Sequence, residues 1–585
     1  MSETTGGAII AGMLRQEGVE KFFGIVDGTY TQLFAHCVEL GIEMVSPRHE
    51  AVAAHMAGAW SRLTGKLGVC IASNGPGVAN MLSGVAVENA EGNRVLLITS
   101  SRRSGITYPD RGGTYQCFDH VAVIRGMSKW SETVSSFSRL GELMRQALRV
   151  SYEGRPGVVH LDVPESILNG SGPACAFELP RRYRCCEPCE PSLDSLEKAA
   201  ELLAAASLPV IHAGGGVIHA GAFAELAEVA ALLHSPVTTS WSARSAFVET
   251  SALSWPMPHI EACTRLRNQA DVMLVLGCEL GETDWWGKPP YWAPAARQKM
   301  IQVDVDAACL GRNRPAELLV HADARRFLAR LAPLLKERVA SMPLEARRAA
   351  VEHLSVDKKK DRAALDSVLD NRAKPMITGH VPASCRRVFD DDAVFVFDGG
   401  NTAVWGHFFT EARSPNSMLH TAHFGHLGAG VGQALGAAVA LPGRQVCCII
   451  GDGAMAFQMQ EIETSVRCGL APVFVVCCDR QWGMVKINQM IALAQSRAAL
   501  PHALGPDGDG TINTDLGEIE WDKVAVAMGA HGERVSDPAD LDAALRRCLA
   551  TGRCSVVHVD VEPTAHLFAP GLQHFKDMHQ EPAGG

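Results

Sequence analysis

No run of about 18 consecutive apolar residues occurs in the 585-residue chain, so no segment reads as a membrane-spanning helix. Excess positive charge is missing too. The formal net charge is −10 and no Lys/Arg cluster is long enough to grip nucleic acid or an anionic membrane, so neither partner is expected. The opening Met1-Ser2-Glu3-Thr4-Thr5 lacks the basic flank and apolar core of a secretion leader, and a cytoplasmic location is expected. No short internal repeat is visible. No Gly-x-Gly-x-x-Gly follows the first strand-like run, which argues against a plain dehydrogenase or flavodoxin-like protein. Cysteine is not scarce, at 18 residues. The chain is large and apolar enough to need no disulfide scaffold. Cys447-Cys448 and Cys477-Cys478 lie inside apolar runs and read as buried thiols. Cys186-Glu187-Pro188-Cys189 has the spacing of half a zinc site but no second pair to complete it.

What is present is a rhythm of short apolar runs and helical stretches. The runs include Leu67–Ile71, Arg94–Thr99, Gly157–Val163, Leu208–Ile211, Val272–Leu276, Met300–Asp304, Val394–Asp398, Gln445–Ile450 and Pro472–Val476. Near-continuous Val/Ile/Leu strands bounded by Gly, Pro or Asn belong to parallel sheets covered on both faces by helices. The fold class expected is α/β, with three doubly wound parallel-sheet domains. A proline- and arginine-rich stretch from Pro180 to Pro191 reads as a linker, and the charged stretch from Pro343 to Pro375 as an exposed helix and connection. The expected units are therefore 1–180, 190–342 and 376–565, with 566–585 as a C-terminal tail.

In the third unit a strand leads through Ile450-Gly451-Asp452-Gly453-Ala454 into a helical segment at Gln460–Thr464. Glycines let backbone N–H groups approach a phosphate, and an aspartate there can hold a hard cation. The next strand ends at Cys478-Asp479-Arg480-Gln481-Trp482-Gly483-Met484. Adjacent strands of a parallel sheet end side by side, so Asp452 and Asp479 can meet one ion. Upstream, Asp398-Gly399-Gly400-Asn401-Thr402 repeats the strand-to-helix pattern. Taken alone, Asn401 or Thr402 reads as a helix N-cap. In the first unit, Pro47-Arg48-His49-Glu50 opens an Ala/Gly-rich helical stretch. A carboxylate at that point stabilises a helix dipole by ~0.3–1 kcal/mol, which by itself explains Glu50.

These motifs together resemble the thiamine diphosphate enzymes of the acetolactate synthase, pyruvate oxidase and 2-hydroxyacyl-CoA lyase type, over nearly the whole chain. The resemblance implies pyrimidine-binding, central Rossmann-like and diphosphate-binding domains. It implies that Asp452, Asp479 and the Gln481 carbonyl ligate Mg2+, with Asp479 standing where the family has Asn. Gly400, Asn401, Thr402, Gly451, Gly453, Ala454 and Met484 would contact the cofactor. Thr421–Gly430 matches the family's Gly-Thr-Met-Gly turn: the Gly425 carbonyl would accept from the 4′-amino group, and Leu427 would wedge the two rings into a V. Glu50 would be the catalytic carboxylate on the N1′ nitrogen, help worth ~10²–10⁴ in rate. Ser73–Asn80 matches a loop near the cofactor and Gln116 a glutamine facing the substrate. His49 and His426 are further candidates with a structural alternative.

Ala213-Gly214-Gly215-Gly216 and Val303-Asp304-Val305-Asp306 resemble the family's central domain, which binds FAD or ADP. The segment Gly277–Gly287 lacks an arginine that the flavin enzymes use, so either nucleotide is left open. Asn488 stands where acetolactate synthases have a substrate-pocket tryptophan, and Gly287–Trp292 leans toward the acyl-CoA enzymes. The expected activity is a carboligase or decarboxylase acting on 2-keto acids, a lyase or transferase. Its alternatives are a 2-hydroxyacyl-CoA lyase or oxalyl-CoA decarboxylase and, from another class, a non-catalytic cofactor-binding regulatory protein. Small keto acids or acyl-CoAs are the expected substrates. A homodimer or homotetramer is expected, with its sites between the first domain of one subunit and the third of another.

Overall fold

The computed structural model describes residues 3–107, 111–175, 177–493 and 511–578. Met1-Ser2 and the end of the expected tail, 579–585, lie outside them. Among the described residues no helix is long and apolar enough to cross a membrane.

Three all-parallel sheets organise the chain, and each of the nine apolar runs named above lies on one of their strands. The first sheet has six strands in the order Glu43–Val45, Lys21–Phe23, Gly68–Ala72, Val95–Ser101, Val158–Pro164, Trp130–Thr133. The central sheet has five: Val237–Thr239, Pro209–Ala213, Val272–Leu276, Lys299–Asp304, Leu318–His321. The third has six: Met418–Leu419, Val394–Asp398, Val446–Gly451, Val473–Cys478, Ser555–Asp560, His531–Val535. The inner strands are buried from end to end, because helices cover both faces.

Numbered by chain order within each, the first and third sheets share the order 2-1-3-4-6-5. The fold is therefore duplicated, where the sequence showed no repeat: topology is kept by strand and helix packing, which many residue combinations satisfy. In both sheets the order reverses beside the first strand, and the crevice outside the strand ends at such a switch point is where open α/β sheets take ligands.

The two duplicated units share one core within the chain. Helix Glu50–Thr64 lies against helix Ala429–Ala440, and the contact is close because glycines line it. A Cβ on Gly432 would sit 2.7 Å from His55 Cβ, and one on Gly436 2.7 Å from the Met56 carbonyl oxygen. That explains the small residues after Glu50: they are the packed face of a buried helix.

The charged stretch after Pro343 is a helix, Leu344–Asp366, but not one exposed all round. Arg347 is fully buried and donates to the carbonyls of Leu203, Ala204, Ala206 and Leu233. These are the unsatisfied C-terminal carbonyls of two central-domain helices, and a five-donor guanidinium satisfies several at once. The described end of the chain folds back as well. Helix Leu572–Met578 rests on the central domain, with the His574 ring centroid 4.1 Å from Trp285 and Phe575 4.6 Å from Trp241.

Candidate functional site

Three neighbouring strands of the third sheet deliver polar groups to one place. The first ends at Asp398. Gly399, at φ 91°, caps helix Gly400–Phe409, so Asn401 and Thr402 lie in its first turn and neither is the N-cap. The Asn401 amide nitrogen points to the Leu567 carbonyl at 3.5 Å, while its Oδ1 is buried without a hydrogen-bond partner. The second strand ends at Gly451, and the helix begins at Asp452 itself, with no intervening turn. Extended Gly451 acts as the N-cap, so Asp452 falls in the first turn, where a carboxylate is favoured. Its two oxygens accept from the N–H groups of Gly453, at 2.8 Å, and Arg480, at 2.9 Å. A Cβ on Gly453 would collide with the Trp482 ring at 2.7 Å, so only glycine fits.

The third strand ends at Cys478 and presents Asp479. Asp479 Oδ2 is buried without a hydrogen-bond partner, 3.7 Å from His566 Nε2. Burial pushes Asp452 up to about 6, with the charge of Asp479 adding to it, and burial likewise pushes Asp479 up to about 6. Two desolvated carboxylates side by side are costly unless a cation joins them. The Gln481 amide donates to the Pro563 carbonyl at 2.7 Å, and Gln481 also bonds Asp479 through its side chain and backbone, which favours that carboxylate's charged form. Met484 packs beside Gly400, whose added Cβ would lie 3.0 Å from Met484 Cβ. Sequence reading missed His566. It comes from the short helix Pro563–Leu567 and bonds Thr378 Oγ1 at 2.7 Å and Thr402 Oγ1 at 3.4 Å. Nothing near it in the chain announces a site.

The turn Thr421–Leu427 borders the same region. Gly425 sits at φ 65° and Gly428 at φ 88°, beside the Ala454 carbonyl. A cavity of about 330 Å³ is lined by Gly400, Gly425, His426 and Leu427, with His407 and His420 at its back. The turn is held from the first unit. Glu91, at the end of helix Pro76–Ala90, accepts from the N–H groups of His423 and Phe424 at 2.8 and 3.1 Å. Glu91, too, carries no motif that marks it.

Glu50 opens helix Glu50–Thr64, and the cap is His49, whose Nδ1 accepts from Ala51 N–H at 3.2 Å. His49 is thus accounted for structurally. The Glu50 carboxylate is buried and accepts from Asn80 Nδ2 at 3.0 Å. Gly77 leaves room beside it, where a Cβ would come within 3.3 Å. Asn80 and Gly77 lie in helix Pro76–Ala90, so only the start of the expected Ser73–Asn80 loop is loop; from there Asn74 Nδ2 donates to the Gln116 carbonyl at 3.1 Å. Gln116 is exposed at φ 51°. Two residues before Glu50, the Arg48 N–H meets Glu461 at 3.0 Å and its guanidinium meets Glu463 at 2.7 Å. One chain therefore holds two groups: Glu50, Asn80 and Gln116 in the first unit, and Gly400, Asn401, Thr402, Gly425, Leu427, Gly451 to Ala454, Asp479, Gln481 and Met484 in the third. No first-unit residue is among those lining the 330 Å³ cavity.

In the central unit the crevice beside Gly215 and Gly216 encloses about 80 Å³, below the roughly 300 Å³ at which small-molecule sites begin. Glu279 and Asp304 bring carboxylates to it. Arg155 lines it too, so the small volume is what speaks against FAD or ADP there, and no step is derived through either.

Three family models match the chain: the N-terminal thiamine pyrophosphate-binding domain over residues 4–123, the central domain over 196–331, and the C-terminal thiamine pyrophosphate-binding domain over 398–559. Among curated proteins it is similar to the acetolactate synthase large subunit of Parasynechococcus marenigrum, 30% identical over 82% of this chain and 77% of that one. It is similar to the isozyme 3 large subunit of Escherichia coli, 26% identical over 97% and 96%. It is also similar to the probable large subunit of Methanocaldococcus jannaschii, 26% identical over 96% and 93%.

Proposed function

Since the chain belongs to the thiamine pyrophosphate enzymes and is an acetolactate synthase-like carboligase of that family, we propose that it joins 2-keto acids after decarboxylation, with the following division of labour among its residues. Asp452, Asp479 and the Gln481 carbonyl hold Mg2+. Asn401 Oδ1 and Asp479 Oδ2, buried without partners, are aimed at the ligand that satisfies them, and this is the observation that carries the reading. Gly400, Asn401, Thr402, Gly451, Gly453, Ala454 and Met484 line the place of the diphosphate. Helix Gly400–Phe409 presents its N-terminal N–H groups to that charge.

Thiamine diphosphate, when bound, supplies a nucleophilic ring carbon that adds to a keto-acid carbonyl and accommodates the electron pair released with CO2. The chain's own residues set the protons and the geometry. Glu50, buried and steadied by Asn80, would hold a proton toward the pyrimidine N1′ and so supply the acid–base help the cofactor needs. The Gly425 carbonyl would accept a hydrogen bond from the pyrimidine's amino group and Leu427 would pack against the cofactor, which is positioning rather than chemistry. Gln116, exposed and held by Asn74, would face the substrate.

Glu50 and the Asp452 pair lie in separate groups of one chain, which supports a site completed by a second subunit. A homodimer is the minimum and a homotetramer is compatible. The assay is acetolactate formation from pyruvate with thiamine diphosphate and Mg2+, run beside cleavage of a 2-hydroxyacyl-CoA. Product from pyruvate alone supports the reading. Turnover of the thioester alone, or of neither substrate, refutes it.

A further inference from the structure

Three side chains at the carboxyl end of the central sheet converge where none of the roles above uses them. His212 lies on strand Pro209–Ala213, and Cys278 follows the neighbouring strand Val272–Leu276, which pairs with it in parallel register. Asp284 comes from the turn Glu282–Gly287. One nitrogen, one sulfur and one oxygen ligand atom lie within 4.8 Å of one another, and all three residues are buried. His212 Nε2 is 3.2 Å from Asp284 Oδ1, and Cys278 Sγ is 3.3 Å from Asp284 Oδ2.

The hydrogen bonds around the cluster fix what faces inward. Thr238 Oγ1 lies 3.3 Å from the Ile211 carbonyl, to which it donates, and 2.9 Å from His212 Nδ1. Thr238 Oγ1 and His212 Nδ1 share the shorter of these hydrogen bonds, so Nε2 is the ring nitrogen left to face the cluster. Nε2 lies 3.2 Å from the Asp284 carboxylate. That nitrogen is fully buried and makes no hydrogen bond of acceptable geometry. A proton or a metal cation can join that nitrogen to the carboxylate across 3.2 Å. Cys278 Sγ accepts the Leu280 N–H at 3.4 Å and donates to Asp284 Oδ2; burial and that carboxylate hold the thiol well above its ordinary value, so only a bound cation would draw its proton off.

The loop is bent to make this arrangement: Leu280, Trp285 and Trp286 all hold positive φ, at 52°, 50° and 56°. Strain of this kind in non-glycine residues persists where the surroundings over-determine it, as at ligand clamps. Outer contacts steady the donors. Trp292 Nε1 donates to the Asp284 carbonyl at 2.9 Å and Gln302 Nε2 to the Cys278 carbonyl at 3.1 Å. Arg267 lies over the Trp285 and Trp292 rings, 5.7 and 5.3 Å from their centroids.

We propose that His212, Cys278 and Asp284 form a binding site for a divalent cation of the zinc class. The donor set of imidazole, thiolate and carboxylate suits Zn2+ and not Mg2+, which demands oxygen. Binding displaces the Cys278 thiol proton to solvent. One thiolate, one carboxylate and one neutral imidazole then balance a dication. The fourth position opens on the 80 Å³ crevice that Cys278 and Asp284 line, where a water completes a tetrahedron.

The test loads the full-length protein with Zn2+ and desalts it with thiamine diphosphate and excess Mg2+ present, so that the Asp452 and Asp479 pair is occupied by Mg2+. Zinc is then counted by mass spectrometry. About one zinc per chain is expected, with retention falling about tenfold or more in Cys278→Ser and in His212→Gln. Should either variant fail to fold, Co2+ loading of the wild type and of Asp284→Asn decides. A thiolate-to-cobalt charge-transfer band in the wild type, lost or shifted in Asp284→Asn, supports the site. Zinc well below one per chain, equal retention in the folded variants, or a cobalt spectrum without a thiolate band overturns it.

Discussion

Replacing Glu91 by glutamine tests how the first unit holds the cofactor turn of the third. The Glu91 carboxylate is buried, and burial pushes it up to about 7 in spite of the two N–H groups it accepts from His423 and Phe424. Unfolded, it titrates near 4.5. The folded chain therefore holds a proton on Glu91 across the window from 4.5 to about 7 that the unfolded chain has lost. Stability from this group is complete below the lower value and falls as pH rises to the upper one. Such a displacement corresponds to about 3 kcal/mol. Glutamine keeps an acceptor for both N–H groups and does not titrate. Equilibrium urea unfolding of wild type and Glu91→Gln, measured from pH 4.5 to 8.5, should show the difference between them drifting by about 3 kcal/mol in favour of the variant, then levelling above pH 7. Parallel profiles would show that the carboxylate is not desolvated in this way and would refute the reasoning.

Glu50→Gln should retain thiamine diphosphate binding, followed by fluorescence titration, while kcat falls ~10²–10⁴-fold. Unchanged turnover removes Glu50 from the chemistry. Gly436→Ala should destabilise by about 1–3 kcal/mol, because the new Cβ overpacks against the Met56 carbonyl; an exposed helical glycine would instead gain about 1 kcal/mol. Denaturation midpoints separate the two signs. Arg347→Met strands four carbonyls and should cost about 3 kcal/mol or more, seen as earlier protease cutting within the central unit. Gly453→Ala should abolish cofactor binding with little change in the folding of the first unit, because it drives a methyl into Trp482; calorimetric titration with thiamine diphosphate and Mg2+ reads it.

The strands were legible because a buried parallel strand must be apolar along its length: Val394–Asp398 and Val272–Leu276 run where the sequence placed them. The residues at their carboxyl ends were legible for a related reason, since Asp398, Gly451 and Asp479 are where apolarity breaks off. Boundaries failed where backbone conformation decides, as at Gly399, whose positive φ makes it the cap in place of Asn401. Partners that arrive through tertiary contact left no local pattern. His566 and Glu91 meet the site from a short terminal helix and from the end of a first-unit helix, and Arg347 disappears into the central unit from a stretch rich in exposed charge.

The duplicated topology carries one more consequence. Each copy has a ligand crevice at its switch point, and in the third copy that crevice is furnished with Asp452, Asp479 and the N-terminus of helix Gly400–Phe409. The first copy has lost the phosphate furniture and kept Glu50 at the equivalent end. The glycine-lined contact of Gly432 and Gly436 with Val52–Ala59, and the Arg48 clamp on Glu461 and Glu463, pack the two copies closely against each other within one chain. On the roles proposed above for Glu50 and Asp452, a cofactor touching both would be bridged by pairing two chains, the first copy of one facing the third copy of the other. Cofactor affinity in such a pair depends on chain concentration. It should collapse on dilution below the dimer dissociation constant, while the fold of each chain persists.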